Sequence, residues 1–476
     1  MSGKRHEPSV GKLPFLGSED EFFDHTGMKG SFLLPKIVKR EQRPCTARLQ
    51  PAINSLLCMF LAALAVRLVI SALMIPEHLN PARDHWKFGW EMGRVARSIY
   101  DGNGFSSPFL DPSGPTAILP PVYPYLIAGC MKLFSGYTVA STMAILSINS
   151  FFGSITVIPI YFLTKRVFDE RTAVVTGWVW AFFPYSIYLS AGRIWADTLT
   201  CMIASFIWLQ TIRLDDSRVT GDWLLWGALW ALGAMINPAL LAPLPFLALW
   251  LIVRRRRTGR PWLLPTLLGA AILLALITPW TIRNFQTFHR LIPLRDGFWL
   301  ELHLGNNGDT SDVTPDSGHP TTNPTEYKQW MQLGEIGYMD AKKVEALAFI
   351  RNHPGFFAWV SLRHVVYLWT GFWSLDPKFL ADEPFHIPNV MFTTAMTLLL
   401  IMGLRYAWQE GKGQVVFPLV LVLITFPMVY YITHPSMDFR HPLDPIIVMM
   451  DCYCVLEWWR RHTRKAALGN GAGTVA

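Results

Sequence analysis

Long apolar runs alternate with short polar breaks along most of the chain. Runs near 52–77, 139–164, 172–191, 198–213, 222–237, 239–253, 262–281, 388–405, 414–433 and 443–459 read as ten membrane-spanning helices. A helix of about 20 apolar residues matches the hydrocarbon thickness of a bilayer. Two other apolar stretches are expected not to cross. "PPVYPYLIAGCMKLF" (120–134) is short and opens on prolines, and Pro354 to Trp373 is interrupted by Arg363 and His364. Segments of that kind lie at an interface or re-enter the bilayer.

The polar breaks set the orientation. With the N-terminus inside, the basic segments 164–171, 213–218, 254–260, 405–412 and 459–465 all face the cytoplasm, as the positive-inside rule requires. Counting either exceptional stretch alone as a span puts basic loops on the wrong side. The expected fold is therefore an all-α polytopic membrane protein of about ten transmembrane helices, with amphipathic juxtamembrane helices outside. Its expected divisions are a disordered cytoplasmic tail at 1–50 and a transmembrane module at 51–281 that includes a first external loop, 78–138. An external loop region at 282–387 with short helices follows, then C-terminal transmembrane helices at 388–460 and a cytoplasmic tail at 461–476. No cleavable signal precedes the first run, which is expected to serve as an uncleaved anchor.

Composition supports this picture. Of 476 residues, 51% are hydrophobic and only 16% charged, against roughly 25% charged in a soluble domain. The net charge of +8 is accounted for by the basic loops, so no nucleic-acid partner is expected. "RRRR" at 254–257 reads as a topology anchor. The six cysteines form no disulfide framework. No internal repeat is visible, which argues against a transporter built from inverted halves.

Candidate chemistry collects at the outer boundary. Residues Arg83 to Phe105 read as an amphipathic helix, with Trp86, Trp90, Gly93, Ala96 and Tyr100 on one face and Lys87, Glu91, Arg94 and Ser98 on the other. Asp84 stands at its mouth, and Asp197 opens the fourth span. The two acids could converge on a cavity, one of them as a general base, or each could cap its helix. A carboxylate entering hydrocarbon costs a few kcal/mol, so Asp197 is expected to face a cavity. Arg193 in the same turn is an alternative ion-pair partner for it. Arg283 and Asn284 follow the seventh span, and Arg440 lies in the last external turn. Arginine there suits a phosphate or simple snorkelling. His85, His303, His434 and His441 show no zinc-ligand spacing, and "GNNGDTSDVTPD" lacks the register of a calcium loop.

The order of blocks carries a resemblance. "DHWKFGWEMGRVARSIYDGNGF" is followed by "LPPVYPYLIAGCMKLFSG", then "YFLTKRVFDERTA", then "AFFPYSIYLSAGRIWADTL". This succession resembles the membrane glycosyltransferases of the C superfamily, specifically the protein O-mannosyltransferase-like group of family 39 and its bacterial relatives. "TPWTIRNFQTFHRLIPLRDGFWLELHLGNN" (278–307) and "FRHPLDPII" (439–447) look like later blocks of the bacterial members. The resemblance spans about 80–310 and thins towards 450.

It implies Asp84 as catalytic base, Asp197 as the acid of the second external turn, and Arg283 and Arg440 near a carrier phosphate. His85, Tyr123 and Asn284 would contact acceptor or donor. A divalent metal held by Asp84 and Asp197 stays open, with no other cofactor implied. Where the O-mannosyltransferases have Asp-Glu this chain has Asp84-His85, and where they have His-Pro-Pro it has Leu119-Pro120-Pro121. Mannose and a protein acceptor are therefore left open. The expected activity is inverting transfer of a sugar from a polyprenyl-phosphate-linked donor to an envelope acceptor (protein, lipid or glycan) on the outer face of the membrane. Loss of a phosphate leaving group in one displacement inverts the anomeric carbon. The alternatives are a transporter or flippase of lipid-linked sugars, or an O-antigen ligase or polymerase. The expected partners are the donor, the acceptor and the lipid bilayer. The expected location is a bacterial inner membrane, with both termini cytoplasmic.

Overall fold

The computed structural model describes residues 55–78, 88–110, 112–308, 318–375, 380 and 386–471. Asp84, His85 and the whole N-terminal tail at 1–50 lie outside the described residues. The described chain is helical, with one isolated β-bridge between Ser106 and Pro115. Six helical stretches are long and apolar enough to cross a membrane: Leu56–Pro76, Val139–Val167, Pro238–Arg257, Leu263–Phe288, His386–Gln409 and Gly413–Ile432. The protein is a multi-pass membrane protein, as the runs predicted. Four predicted spans fall outside that set. Two are shorter helices, Asp197–Leu214 (α8) and Thr220–Ile236 (α9). A third is broken into Glu170–Ala181 (α6) and Pro184–Gly192 (α7), and the fourth is part of the long C-terminal helix Asp444–Gly471 (α19).

The break between α6 and α7 has a chemical cause. Pro184 has no N–H to donate back into a continuous helix, so the carbonyls at the end of α6 need other partners. Arg67 of the first span, Leu56–His78 (α1), supplies them. Its guanidinium donates to the Ala181 carbonyl at 2.9 Å, the Trp180 carbonyl at 3.4 Å and Ser186 Oγ at 3.0 Å. Nε donates to Ser190 Oγ at 3.1 Å. A charge inside a bundle is tolerable when every donor is taken up in this way.

Next in chain order are Trp90–Tyr100 (α2), Val122–Leu133 (α3), Val139–Ile155 (α4) and Val157–Val167 (α5). α3 has 12 residues, too few to span, as its prolines predicted. After α9 come Leu244–Arg257 (α10) and Leu263–Phe288 (α11). The region predicted as a loop with short helices holds Phe298–Gly305 (α12), Pro324–Asn352 (α13) and Pro354–Thr370 (α14). α13 is much longer than expected, at 29 residues, and turns at Gly334, where φ is 67°. The chain then runs through His386–Gln409 (α15), Gly413–Thr425 (α16), Met428–Ile432 (α17) and Met437–Arg440 (α18) to α19.

Two glycines bring distant elements together around one cavity. Gly89 adopts φ 79°, and a Cβ there would lie 2.0 Å from the Ile194 carbonyl oxygen. Only glycine lets the start of α2 lie against the turn before α8. At Gly305 a Cβ would lie 1.7 Å from the Thr433 carbonyl oxygen, so α12 can press onto the end of α17.

Candidate active site

The cavity occupies about 410 Å³ where α2, α8, α12 and the segments around 237, 319 and 434 converge. That volume lies in the usual range for small-molecule sites. Its polar wall is formed by Glu91, Asp197, Arg295, Glu301, His319 and His434. Ile118, Leu119 and Pro120 of the proline-led segment, with Trp195 and Tyr430, supply apolar surface.

Asp197 is the first residue of α8 and is only 7% exposed. It makes no side-chain cap hydrogen bond, since the helix N-cap position is Ala196. One of its carboxylate oxygens, Oδ2, is buried without a hydrogen-bond partner. The hydrogen bond of Arg193 goes to Asp438, which also accepts from Tyr185 Oη at 2.7 Å. Among the described residues the ion pair of Arg193 is thus with Asp438 and not with Asp197.

Glu301 is fixed from two sides. Arg295 Nη2 donates to one carboxylate oxygen at 3.0 Å, and His434 Nε2 lies 2.7 Å from the other. Burial alone would raise this acid. The His434 hydrogen bond and the charges of His434, Arg295 and His319 outweigh it and hold the carboxyl down at about 2. Glu301 is therefore a fixed anion. Arg295 Nε is buried with no partner, so this cation keeps a donor in reserve beside the cavity.

Glu91 behaves in the opposite way. The sequence pattern placed it on the polar face of α2, yet it is buried and lines the cavity. Burial raises its carboxyl to about 7, and the negative charge of Glu301 adds to the effect. His319 Nε2 lies 3.2 Å from its Oε1. His319 Nδ1 accepts from the Thr321 N–H at 3.3 Å, which leaves Nε2 as the nitrogen bearing the proton in the neutral ring. Burial holds His319 down at about 4, so near neutral pH a neutral imidazole donates to Glu91. A carboxyl titrating near 7 suits proton transfer.

The remaining predicted residues lie elsewhere. Arg283 donates to the carbonyls of Thr116 at 2.7 Å and Phe105 at 2.9 Å and packs over the Trp280 ring. It fastens the first loop to α11. Asn284 is buried beside it and donates to the Ile292 carbonyl at 3.0 Å. Arg440 is 1% exposed and pairs with Asp444 at 3.2 Å. Tyr123 is buried, and its Oη accepts from Asn149 Nδ2 at 2.7 Å. None of these four lines the cavity. Among the described residues no group of three or more His, Cys, Asp or Glu is placed to hold a metal, so Asp197 is the described half of the implied metal pair.

Arg295, Glu301, His319 and His434 escaped the sequence reading as cavity residues because they are scattered over some 140 positions of loop and helix end. Glu301 carried one usable signal. It is an acid inside the apolar "GFWLELHLG", a setting that a carboxylate tolerates only with partners.

Residues 119–282, about a third of the chain, match the family model for dolichyl-phosphate-mannose-protein mannosyltransferases. The match bears out the resemblance. It includes the Leu119-Pro120-Pro121 block and Asp197. No curated protein matches the chain. Among solved structures, the crystal structure of the Archaeoglobus fulgidus oligosaccharyltransferase in complex with Zn and sulfate is similar at 15% identity, with a TM-score of 0.49 over 87% of this chain and 51% of that one. The archaeal oligosaccharyltransferase AglB of A. fulgidus, in complex with an inhibitory peptide and a dolichol-phosphate, gives 16%, 0.47, 88% and 52% respectively. ArnT from Cupriavidus metallidurans bound to undecaprenyl phosphate gives 12%, 0.37, 83% and 77%. The chain therefore spans about half the length of the oligosaccharyltransferases.

Proposed function

We propose that this cavity transfers a sugar from a polyprenyl-phosphate-linked donor to a hydroxyl of an envelope acceptor, on the outer face of a bacterial inner membrane. The observation that carries the reading is Asp197. It lies inside the mannosyltransferase-family segment, and a buried carboxylate oxygen with no partner stands at a cavity of substrate size. Such an atom is costly unless something completes it. An acceptor hydroxyl does so by donating a hydrogen bond.

In the proposed reaction the acceptor oxygen attacks the anomeric carbon, the bond from that carbon to the phosphate oxygen breaks, and the lipid phosphate departs with the electron pair. Asp84, just ahead of α2, takes the acceptor proton as base, and Asp197 orients the acceptor. Positioning of this kind supplies a large part of the rate. Arg295 is the cation best placed to meet the leaving phosphate, through its free Nε. Arg283 and Arg440 would act behind it, by holding the first loop and the α18 turn. Displacement in one step inverts the anomeric centre.

The test is turnover in nanodiscs with a panel of polyprenyl-phosphate sugars, scored by released carrier phosphate. Protein, lipid A and envelope glycans are offered as acceptors, and wild type is compared with Asp84→Asn and Asp197→Asn. Release by the wild type that is lost in both variants, while donor still binds, supports the assignment and names the sugar. No release from any donor moves the protein to the transporter reading.

A further inference from the structure

A second concave site lies at the other end of α10. Ala242, just before α10, lines the candidate active site, and Arg257 ends the helix 15 residues later. At 1.5 Å per residue the two are roughly 22 Å apart. There a groove of about 730 Å³ runs between α10, α16 and the C-terminal end of α15. Phe246, Leu249 and Val253 recur on one face of α10 and meet Phe417 and Leu421 of α16. Trp408 lines it as well. The apolar strip from Phe246 to Arg254 is about 12 Å long, the reach of the first part of an acyl chain.

The charged rim of this groove is not evenly occupied. Arg255 is buried and spends its donors on the carbonyls of Leu214, Ser217 and Pro261. Arg256 lies over the Trp262 ring. Arg254 is shared between Asp215, at 3.1 Å, and Gln414 Oε1, at 2.7 Å. Arg257, also on the rim, is exposed and makes no ion pair among the described residues. The "RRRR" run thus leaves one whole guanidinium at the mouth of an apolar groove on two spanning helices.

We propose that this groove is a binding site for an anionic phospholipid of the bilayer. The phosphodiester headgroup lies on Arg257, with Arg254 behind it, and one acyl chain runs along Phe246, Leu249 and Val253. A guanidinium fork matches phosphate oxygens, and basic pockets between spanning helices are a recurring way to hold acidic headgroups. Charge and shape together select this occupant. A zwitterionic lipid would fit the apolar wall but bring a choline to an arginine.

The test uses the full-length protein in nanodiscs of phosphatidylcholine, with and without 20% phosphatidylglycerol (about one lipid in five), followed by native mass spectrometry of what stays bound. Wild type is expected to retain phosphatidylglycerol over phosphatidylcholine. Arg257→Gln is expected to reduce that retention about fivefold, the factor corresponding to roughly 1 kcal/mol per basic residue. Leu249→Trp, which fills the groove without touching the arginines, is expected to abolish it. Because Leu249 and Arg257 are both exposed, neither change should unfold the chain. If Leu249→Trp nevertheless melts early, Arg257→Gln alone decides. Equal retention of both lipids, or retention that Arg257→Gln leaves unchanged, overturns the proposal. Preferential displacement of the bound lipid by added undecaprenyl phosphate also overturns it, by assigning the groove to the carrier.

Discussion

Two regions bury charge, and they do so to opposite effect. Around Arg67 every guanidinium nitrogen is taken up by carbonyls and serine hydroxyls from α1, α6 and α7. Around Asp197 the chain gathers three acids, two histidines and an arginine, and leaves Asp197 Oδ2 and Arg295 Nε without partners beside empty volume. A buried charge is therefore no marker of a site by itself. The marker is a buried charge whose bonding is incomplete and faces a cavity.

The sharpest way to break this comparison is to neutralise each charge. Asp197→Asn keeps the shape and removes the anion that orients the acceptor; turnover in nanodiscs is expected to fall by about 10²-fold, with the melting temperature little changed. Arg67→Met should do the reverse. The Ala181 carbonyl and the Ser186 hydroxyl lose the Arg67 donor, and buried groups left unsatisfied cost about 1–3 kcal/mol. Melting should drop by several degrees, while turnover per folded molecule persists. If the two variants show the same pattern, the distinction fails.

Next in size is Gly305→Ala. Its Cβ would meet the Thr433 carbonyl, forcing α12 away from α17 and carrying Glu301 from His434. Overpacking of this kind costs about 1–3 kcal/mol. Turnover should fall along with stability, and a crosslink between α12 and α17 should form less efficiently.

The smallest effect is a pH dependence at Glu91. Its carboxyl is raised to about 7 in the folded protein, above the roughly 4.3 of an unfolded chain. The folded state therefore binds this proton more tightly, and the stability it contributes is present below about pH 4. That contribution is lost as pH rises through 7. Melting should decline from pH 5 to pH 8, and Glu91→Gln should flatten the decline. Glu301, held down at about 2, works with the opposite sign: its contribution is present above the unfolded value and is lost only as pH falls towards 2. A pH–melting profile of Glu91→Gln identical to wild type would remove Glu91 from the titrating set.

Much of the architecture was legible because it rests on length and polarity. An apolar run of 20 residues can only be satisfied in a bilayer as a helix, and prolines at 120–124 mark a segment too short to cross. The site was legible in part. Asp197 could be picked out as an acid at the head of an apolar run, and it lies inside the segment that matches the mannosyltransferase family model. Glu91 was put on the polar face of α2, and what periodicity could not show is that this face meets a polar cavity rather than solvent. Arg283 and Arg440 show how little position along the chain says about surroundings. Each is an arginine at an expected boundary; Arg283 is bonded to carbonyls of the first loop, and Arg440 pairs with Asp444 while its Nε and Nη1 stay without hydrogen-bond partners.

By itself the sequence determined that this chain is helical, that it lives in a membrane, and that acids stand at the edges of its spans. Hydrophobic transfer and backbone hydrogen bonding act locally, so their demands can be read residue by residue. Only the tertiary structure decided which charges meet. Glu91, Glu301, His319 and His434 come from separate segments brought together where glycines at 89 and 305 permit close approach. Whether a charge is closed or open depends on partners that lie far along the chain, and no local pattern encodes them.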